Sequence, residues 1–576
     1  MCGIWVCVGE DSDVLSLHEI FKANQKRGPD DFQIMKLAND TVTMVFYRLA
    51  IRDVRPEGMQ PFLRQCSLTG DQYVLVCNGE IYNYDQLLAD FPMVQSRLVS
   101  KSDCEIILEL YLHLGNNMGA VLEYIRGEFA FVLVEIDGKT STVRQGYAAR
   151  DPYGVRPLFI GSATTTTDRI VFSSLLQGLS GGSIVDPSTA RQLHPGHILA
   201  FGAGGAVQWQ KPYYAPRVFF LSSCSSALTV EEGEIACYRE VCDRLIEAVR
   251  QRMISDRPVG ALLSGGLDSS LVVAIAHKIL GVPVQTFTIG LDGCESTDIR
   301  YAQEVIDHLK IGDEATIVRL SVQEALVSIE EVIRECETYD ITTIRASIMQ
   351  YAMARHIRDH TTIRVILNGD GADEVQMGYL YFRMAPHAMA ARHENLKLLR
   401  EIHFFDGLRV DRCLGAMGLE ARLPFLDIDF VDYFLSLPTE WTAPLNGRPE
   451  KSLIRKAFHF CYPDLLPESV LFRQKEAFSD GVSSSTDSWH QRLKNHVEQL
   501  VSVNPLSFDT GVNPPISTES LYYRSIFTKY FPGMDRIIPH FWQPAFTTTS
   551  DPSARELAIY TESSSTSSSS STSTST

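Results

Sequence analysis

Hydrophobic positions along this 576-residue chain fall into two regimes. Over roughly the first two hundred residues, short apolar runs of strand length alternate with polar turns. The clearest are an apolar first strand after Met1, a strand-like stretch through Tyr47–Ile51, Tyr73–Cys77, and a run beginning at Gly127. Helical periodicity is confined there to Val14–Lys26 and Ile106–Leu114. From residue 235 the pattern changes. A helix over Ile235–Ile254, with Val241, Leu245, Ala248 and Val249 on one face, leads into a strand at Pro258–Ala261 and a helix through Leu271–Ala276. A strand ending at Gly290, a helix over Ile299–Leu309 and a strand over Ile363–Leu367 follow. Such alternation predicts a parallel sheet.

Between these regimes, Gly, Ser and Pro cluster without sustained periodicity. The pattern therefore predicts a domain over 1–205, a connection over 206–234 and a second domain over 235–560. Residues 561–576, almost wholly Ser and Thr, cannot bury a core and are expected to be disordered.

Composition narrows the possibilities. Hydrophobic residues at 45% and charged residues at 21% belong to a soluble globular protein too long for a single core. A net charge of −18 argues against a nucleic-acid partner. No window approaches a membrane span, and the N-terminus meets Glu10, Asp11 and Asp13 without the basic start of a signal peptide. Twelve cysteines without a C-x-x-C pair read as reduced thiols of a cytoplasmic protein.

The second regime is organised around Leu262-Leu263-Ser264-Gly265-Gly266-Leu267-Asp268-Ser269-Ser270, which reads as strand, glycine turn and helix N-terminus. Its glycines admit close backbone approach, its serines add donors, and a helix N-terminus favours an anion such as phosphate. Asp268 would repel bare phosphate, which suggests a bridging Mg²⁺. The Lys-Ser/Thr ending of a Walker loop is absent. A second acidic glycine loop, Asn368-Gly369-Asp370-Gly371-Ala372-Asp373-Glu374, ends the strand through Leu367. Loops at the ends of parallel strands meet where such sheets bind ligands, so Asp268 and Asp373 could share the metal. At the other end of the chain, loss of Met1 would leave Cys2 with a thiol and a free α-amino group, a nucleophile and a base on one residue.

Further motifs set these features in context. Arg27-Gly28-Pro29-Asp30, Arg48 in its apolar stretch, Asn78-Gly79-Glu80 and Ser102-Asp103-Cys104 follow Cys2 in order, and Arg150-Asp151-Pro152 closes the series. Asn78-Gly79 taken alone is also a hairpin signal. The region through about Gly196 resembles class II glutamine amidotransferases of the N-terminal-nucleophile type, although Lys26 stands where that family often has His. Together with SGGLDSS, Thr342-Thr343-Ile344-Arg345, Gly418–Asp427, Pro449–Arg455 and Arg473–Gly481, the ordered set resembles the glutamine-hydrolysing asparagine synthetases.

The resemblance implies a mixed α/β and α+β two-domain fold: an N-terminal αββα sandwich like that of the N-terminal-nucleophile hydrolases, then a doubly wound parallel-sheet ATP pyrophosphatase domain. It makes glutamine, aspartate and ATP the substrates and Mg²⁺ the metal, and leaves a homodimer among the open oligomeric states. Cys2 would be the nucleophile, with Asn78 and Gly79 as oxyanion hole and Arg48, Glu80 and Asp103 around glutamine. Leu262, Ser264, Gly265, Gly266, Asp268, Ser269, Ser270, Ile289, Asn368 and Gly369 would surround ATP. Asp268 and Asp373 would hold the metal, Thr342 and Arg345 aspartate, and Lys451 would offset phosphate charge. For Arg422 and the Lys475 segment, shaping the site wall and forming structural salt bridges are equal alternatives.

One departure bears on rate. The family usually has Ser-Gly-Glu-Gly-Ser-Asp-Glu where this chain has Asn368–Glu374, so the glutamate assigned to deprotonating ammonia becomes Asp370 and the serine becomes Asn368. A carboxylate one carbon shorter is displaced by about 1.5 Å, enough to slow synthesis unless the backbone compensates. Two other readings follow. A β-lactam-synthetase-like relative is disfavoured by Cys2 and by Thr342–Arg345. A nucleotide-binding descendant without catalysis would bind ATP but release no pyrophosphate.

Overall fold

The computed structural model describes residues 1–9, 18–163, 169–180, 184–216, 230–483, 488–506, 511–549 and 551–552. The N-terminal domain is built on two antiparallel six-stranded sheets. Edge to edge, the first runs Arg191–Gln192, Phe159–Ser162, Arg169–Ser173, Gly3–Gly9, Val42–Arg48 and Asp31–Leu37. The second runs Val207–Pro212, His197–Phe201, Val143–Arg150, Gly127–Ile136, Gln72–Ile81 and Phe62–Gln65.

Strand alternation explains why these sheets pack in layers. In Gly3–Gly9, Ile4, Val6 and Val8 point inward and meet Val74, Val76 and Val132 of the second sheet, while Trp5 and Cys7 point outward. In Gln72–Ile81, Leu75 and Cys77 take the outer face and pack under Ile106, Ile107 and Leu110 of helix Glu105–His113. The outward Trp5 joins Phe21, beside helix His18–Lys22, in an apolar cluster that continues into the second domain.

That second domain carries a wholly parallel five-stranded sheet: Ala315–Leu320, Gln285–Leu291, Val259–Leu262, Val365–Leu367 and Glu420–Arg422. The chain starts in the middle strand, moves to one edge, and then crosses back to fill the other side. The strand order reverses between Val259–Leu262 and Val365–Leu367, which is where open α/β sheets form their binding crevice. No helix among the described residues is long and apolar enough to cross a membrane.

Three sequence expectations need adjustment. The strand expected over Tyr73–Cys77 does not end at Asn78-Gly79; both residues continue Gln72–Ile81, paired with Ala130 and Phe129, which leaves no place for the hairpin alternative. The connection is shorter than 206–234, because Val207–Pro212 completes the second sheet and helix Val230–Arg252 starts before 235. In the expected Val14–Lys26 helix, His18–Lys22 is helical and Ala23–Lys26 is a 3₁₀ turn, while its earlier residues lie outside the described ones. The expected disordered tail at 561–576 also lies outside them.

Buried ion pairs join the domains. Arg27 grips Asp411 through two 2.8 Å bonds, Arg252 bridges Glu128 at 3.1 Å and Asp427 at 2.9 Å, and Arg422 reaches Glu80 at 3.2 Å. Glu337 accepts from Arg412 at 3.0 Å and from the backbone N–H groups of Leu176 and Gln177. Deleting one partner of such a pair strands a buried charge, at a cost of about 3–5 kcal/mol. The two domains are thus held in one fixed relation.

Candidate active site

The first pocket opens beside the N-terminal strand. Cys2, Arg48, Arg52, Gly79, Glu80, Asp103 and Cys104 line it, joined by Glu420 from the second domain. The Cys2 thiol faces the Leu49 carbonyl at 3.7 Å, and burial pushes it up to about 11. Met1 is buried, with its amine 3.2 Å from Glu420. Asn78, between two lining residues, has both side-chain polar atoms buried without a protein partner. A Cβ on Gly79 would come within 2.5 Å of the Glu128 carbonyl, so only glycine fits there. Cys104 donates to the Gly79 carbonyl at 3.3 Å, and Asp103 accepts from Ile81 N–H at 2.5 Å. Burial raises both Glu80 and Asp103 above the usual range, and for Glu80 the Asp103 carboxylate adds to it.

The second site lies at the sheet's switch point. Gly265 takes φ +68°, and a Cβ there would strike the Tyr301–Ala302 backbone at 2.3–2.5 Å. Gly266 then caps helix Leu267–Ala274, which presents Asp268 and Ser269 to the cleft. A Cβ on Gly369 would meet Ser269 N at 2.8 Å, so the two glycine loops touch. Leu262, Ser264, Gly266, Asp268, Ser269, Asn368 and Gly369 all line the cleft. Gly265, Ser270 and Ile289 do not; they support it from within, Ile289 as a buried strand residue.

Lys451 sits at the centre. Its Nζ lies 2.5 Å from Asp268 and 2.6 Å from Asp373, and Lys475 reaches the other oxygen of Asp373 at 2.5 Å. The two lysines hold the Asp373 carboxyl far below the ordinary carboxylate range despite burial. Lys451 itself has φ +56°, a left-handed conformation strained for a non-glycine residue and found most often at functional sites. Asp268 and Asp373 are therefore brought together as expected, and Asp268 Oδ1 is buried without a hydrogen-bond partner. Among the described residues no group of three or more His, Cys, Asp or Glu could by itself cage a metal. Mg²⁺ is ordinarily bound through one or two carboxylates plus phosphates and water, so this pair fits it.

A second cavity shares Asp370, Asp373, Arg409 and Lys475 with the first and is also lined by Thr342, Arg345 and Tyr379. Thr342 Oγ1 is buried and unpartnered. Arg345, by contrast, is already engaged: it forks onto Glu519 at 3.0 and 2.7 Å and onto Asp551 at 2.8 and 3.1 Å. Asp370 stands in the wall common to both cavities, held by Arg409 at 2.8 Å. Arg409 also pairs with Asp406 at 2.9 Å, and Tyr379 bonds Asp406 and Glu374. Sequence reading missed Arg409, Asp406 and Tyr379, which lie in no glycine loop. Asp406 and Arg409 lie one turn apart at the start of helix Asp406–Gly415, which also carries Asp411 and Arg412, and Tyr379 lies outside that helix, so no local pattern marks the three. Arg422 is structural: fully buried, it bonds Glu420 at 2.8 Å as well as Glu80. Lys475 lines both cavities.

Comparison with known proteins agrees with this geometry. A family model described as "Asparagine synthase" matches residues 240–403 and 384–548, and one described as "Glutamine amidotransferase domain" matches 1–194. The probable asparagine synthetase [glutamine-hydrolyzing] of Acanthamoeba polyphaga mimivirus is 37% identical over 578 residues, covering 97% of this chain and 100% of that protein. The enzymes of Gallus gallus and Homo sapiens, named asparagine synthetase [glutamine-hydrolyzing], are 38% and 37% identical, each across 97% of this chain and 99% of theirs. With matches of this extent across both domains, the chain belongs to the glutamine-hydrolysing asparagine synthetase family.

Proposed function

We propose that the protein makes asparagine from aspartate and ATP with glutamine as nitrogen donor, releasing AMP, pyrophosphate and glutamate. The observation that carries this reading is the strand Glu420–Arg422. Its first residue lines the Cys2 pocket, and the carbonyl of its last accepts from Asn368 N–H at 3.0 Å in the nucleotide loop. One rigid element thus ties a candidate glutaminase to a candidate adenylating site.

In the N-terminal pocket, built on a fold of the N-terminal-nucleophile hydrolase type, the Cys2 thiolate attacks the glutamine carboxamide. Asn78 and the Gly79 N–H receive the developing oxyanion; its collapse breaks the C–N bond and releases ammonia, and water then hydrolyses the γ-glutamyl thioester to glutamate and free Cys2. Arg48 takes the glutamine α-carboxylate, and Glu80 and Asp103 its ammonium. In the cleft, the Ser264–Ser270 loop holds the phosphates. Mg²⁺ bound by Asp268 and Asp373 would supply charge neutralisation on the pyrophosphate. Lys451 offsets charge at the α-phosphate as the aspartate β-carboxylate displaces pyrophosphate to form β-aspartyl-AMP. Ammonia channelled between the domains attacks the acyl carbon of that mixed anhydride, the acyl C–O bond breaks to expel AMP, and Asp370 accepts the proton lost from nitrogen. Arg409 fixes the Asp370 carboxylate in the wall between nucleotide and aspartate cavities, where a proton acceptor is required.

The test is aspartate-dependent pyrophosphate release with either glutamine or ammonium supplied, while asparagine is followed. Equal pyrophosphate and asparagine are expected from both nitrogen sources. Glutamine hydrolysis with no aspartate-dependent pyrophosphate would leave only a nucleotide-binding descendant.

Arg345 supplies a further expectation. With Thr342 it would hold aspartate, but Asp551 occupies part of its guanidinium fork. Substrate must displace that carboxylate, which reduces apparent affinity by the fraction of sites it fills. Asp551→Ala is expected to lower the KM for aspartate roughly three- to tenfold. An unchanged KM in the steady-state assay would show that Asp551 does not compete.

A further inference from the structure

The glutamine pocket contains a second arginine that the reaction above leaves without a role. Arg52 follows Arg48 by four residues, on a loop pinned from two sides. Asp53 N–H donates to Asp256 at 2.9 Å, and the Asp53 carboxylate accepts from Lys101 N–H at 2.6 Å. That second bond fastens the loop to the segment carrying Ser102 and Asp103. The Arg52 guanidinium rests over the Tyr84 ring, 4.9 Å from its centroid, and lines the pocket. Among the described residues it makes no hydrogen bond and no ion pair within 4 Å, so its donors face the cavity unspent. A stacked, half-buried cation with free donors leaves its charge available to the groups that share the pocket.

We propose that Arg52 is a specificity-determining residue of the glutamine pocket, placed on the wall it shares with Asp103 so that its charge favours the anionic carboxylate that receives the substrate's ammonium group. This rests on the reading of the Cys2 pocket as the glutamine site. Two carboxylates buried in one small pocket oppose each other's ionisation, and burial drives both up. The other cations nearby are already engaged. Arg422, 3.2 Å from Glu80, is shared with Glu420 at 2.8 Å, and Glu420 adds negative charge of its own. Arg48 donates to the Asp53 carbonyl. Asp85 and Tyr84 flank Arg52 on its outer side, and the Cys2 thiol is neutral until activated. Arg52 is the strongest influence favouring the charged form of Asp103.

The sign follows directly. A cation lowers the pKa of a neighbouring carboxylate, so removing Arg52 lets Asp103 take up a proton at higher pH, and the ammonium then loses its anion. In the full-length enzyme, Arg52→Met should raise the KM for glutamine about tenfold and shift the acid limb of glutaminase kcat/KM up by about one pH unit. Glutaminase kcat should stay within about twofold, ammonium-driven asparagine synthesis should not change, and Arg52→Lys should restore most of the KM and the limb. Unchanged KM and acid limb would overturn the proposal. So would an equal fall in glutaminase and ammonium-driven activity without a moved limb, because that is what a merely structural residue produces. Cys2→Ala assayed alongside tests the underlying reading: if that variant still hydrolyses glutamine, the pocket itself has been misassigned, whatever Arg52 does.

Discussion

Cys2→Ala is expected to abolish glutamine-dependent asparagine synthesis, by at least about a thousandfold, while ammonium-dependent synthesis stays within about twofold. The expectation follows from where the thiol sits. Buried beneath the Leu49 carbonyl, it is pushed up to about 11 and is almost wholly protonated near neutral pH. Such a thiol needs a base within reach. With Met1 in place, the nearest amine belongs to Met1 and is paired with Glu420. In a chain without Met1 the α-amine would belong to Cys2 itself, adjacent to the sulfur and able to take the thiol proton. Alanine keeps the backbone of Gly3–Gly9 and its sheet pairing intact, so the fold and the distant cleft are untouched. The check is asparagine formation with glutamine against ammonium chloride, together with mass spectrometry for a γ-glutamyl adduct. Persistent glutamine hydrolysis in the alanine variant would remove Cys2 from the mechanism.

The sequence was legible where geometry is local. SGGLDSS and Asn368–Glu374 were readable because a glycine-rich loop between strand and helix has few physical uses, and both sit at adjacent strand ends as alternation predicts. The convergence of Asp268 and Asp373 could likewise be anticipated, since two acidic loops at neighbouring strand ends must face one another. Misread features depend on distant partners. Asn78-Gly79 has the chemistry of a hairpin turn, yet Gly127–Ile136 pairs through both residues and keeps them in a strand. The 206–234 connection looks loose because Val207–Pro212 is a short edge strand whose two large apolar residues, Val207 and Trp209, stay exposed. Arg345 carries the right charge for aspartate, but its two acidic partners lie 174 and 206 residues away and leave no trace in its local motif. Arg409 eluded reading for the same reason: its meaning comes from Asp370, 39 residues upstream.

Lys451→Met is expected to reduce aspartate-dependent pyrophosphate release by about 100- to 1,000-fold and leave glutamine hydrolysis intact. Methionine matches the length and apolar stem of lysine, so the variant removes a charge without opening a large cavity. What it removes is the ammonium wedged between Asp268 and Asp373 at 2.5 and 2.6 Å. In the cleft, those carboxylates need cationic charge to tolerate one another and to let a polyphosphate approach. Lys475 still reaches Asp373, but no lysine then remains between Asp373 and Asp268. Asp373, now held far below the carboxylate range by both lysines, should titrate at higher pH, so residual activity should fall off earlier on the acid side than in the parent enzyme. Glutamine hydrolysis, measured in the same preparation, reports that the protein is folded. Its retention beside lost pyrophosphate release assigns Lys451 to the phosphate chemistry. Retention of both activities would mean that Lys451 only neutralises the paired carboxylates, and that the charge at the α-phosphate must come from Lys475 or Arg473, which also line the cleft.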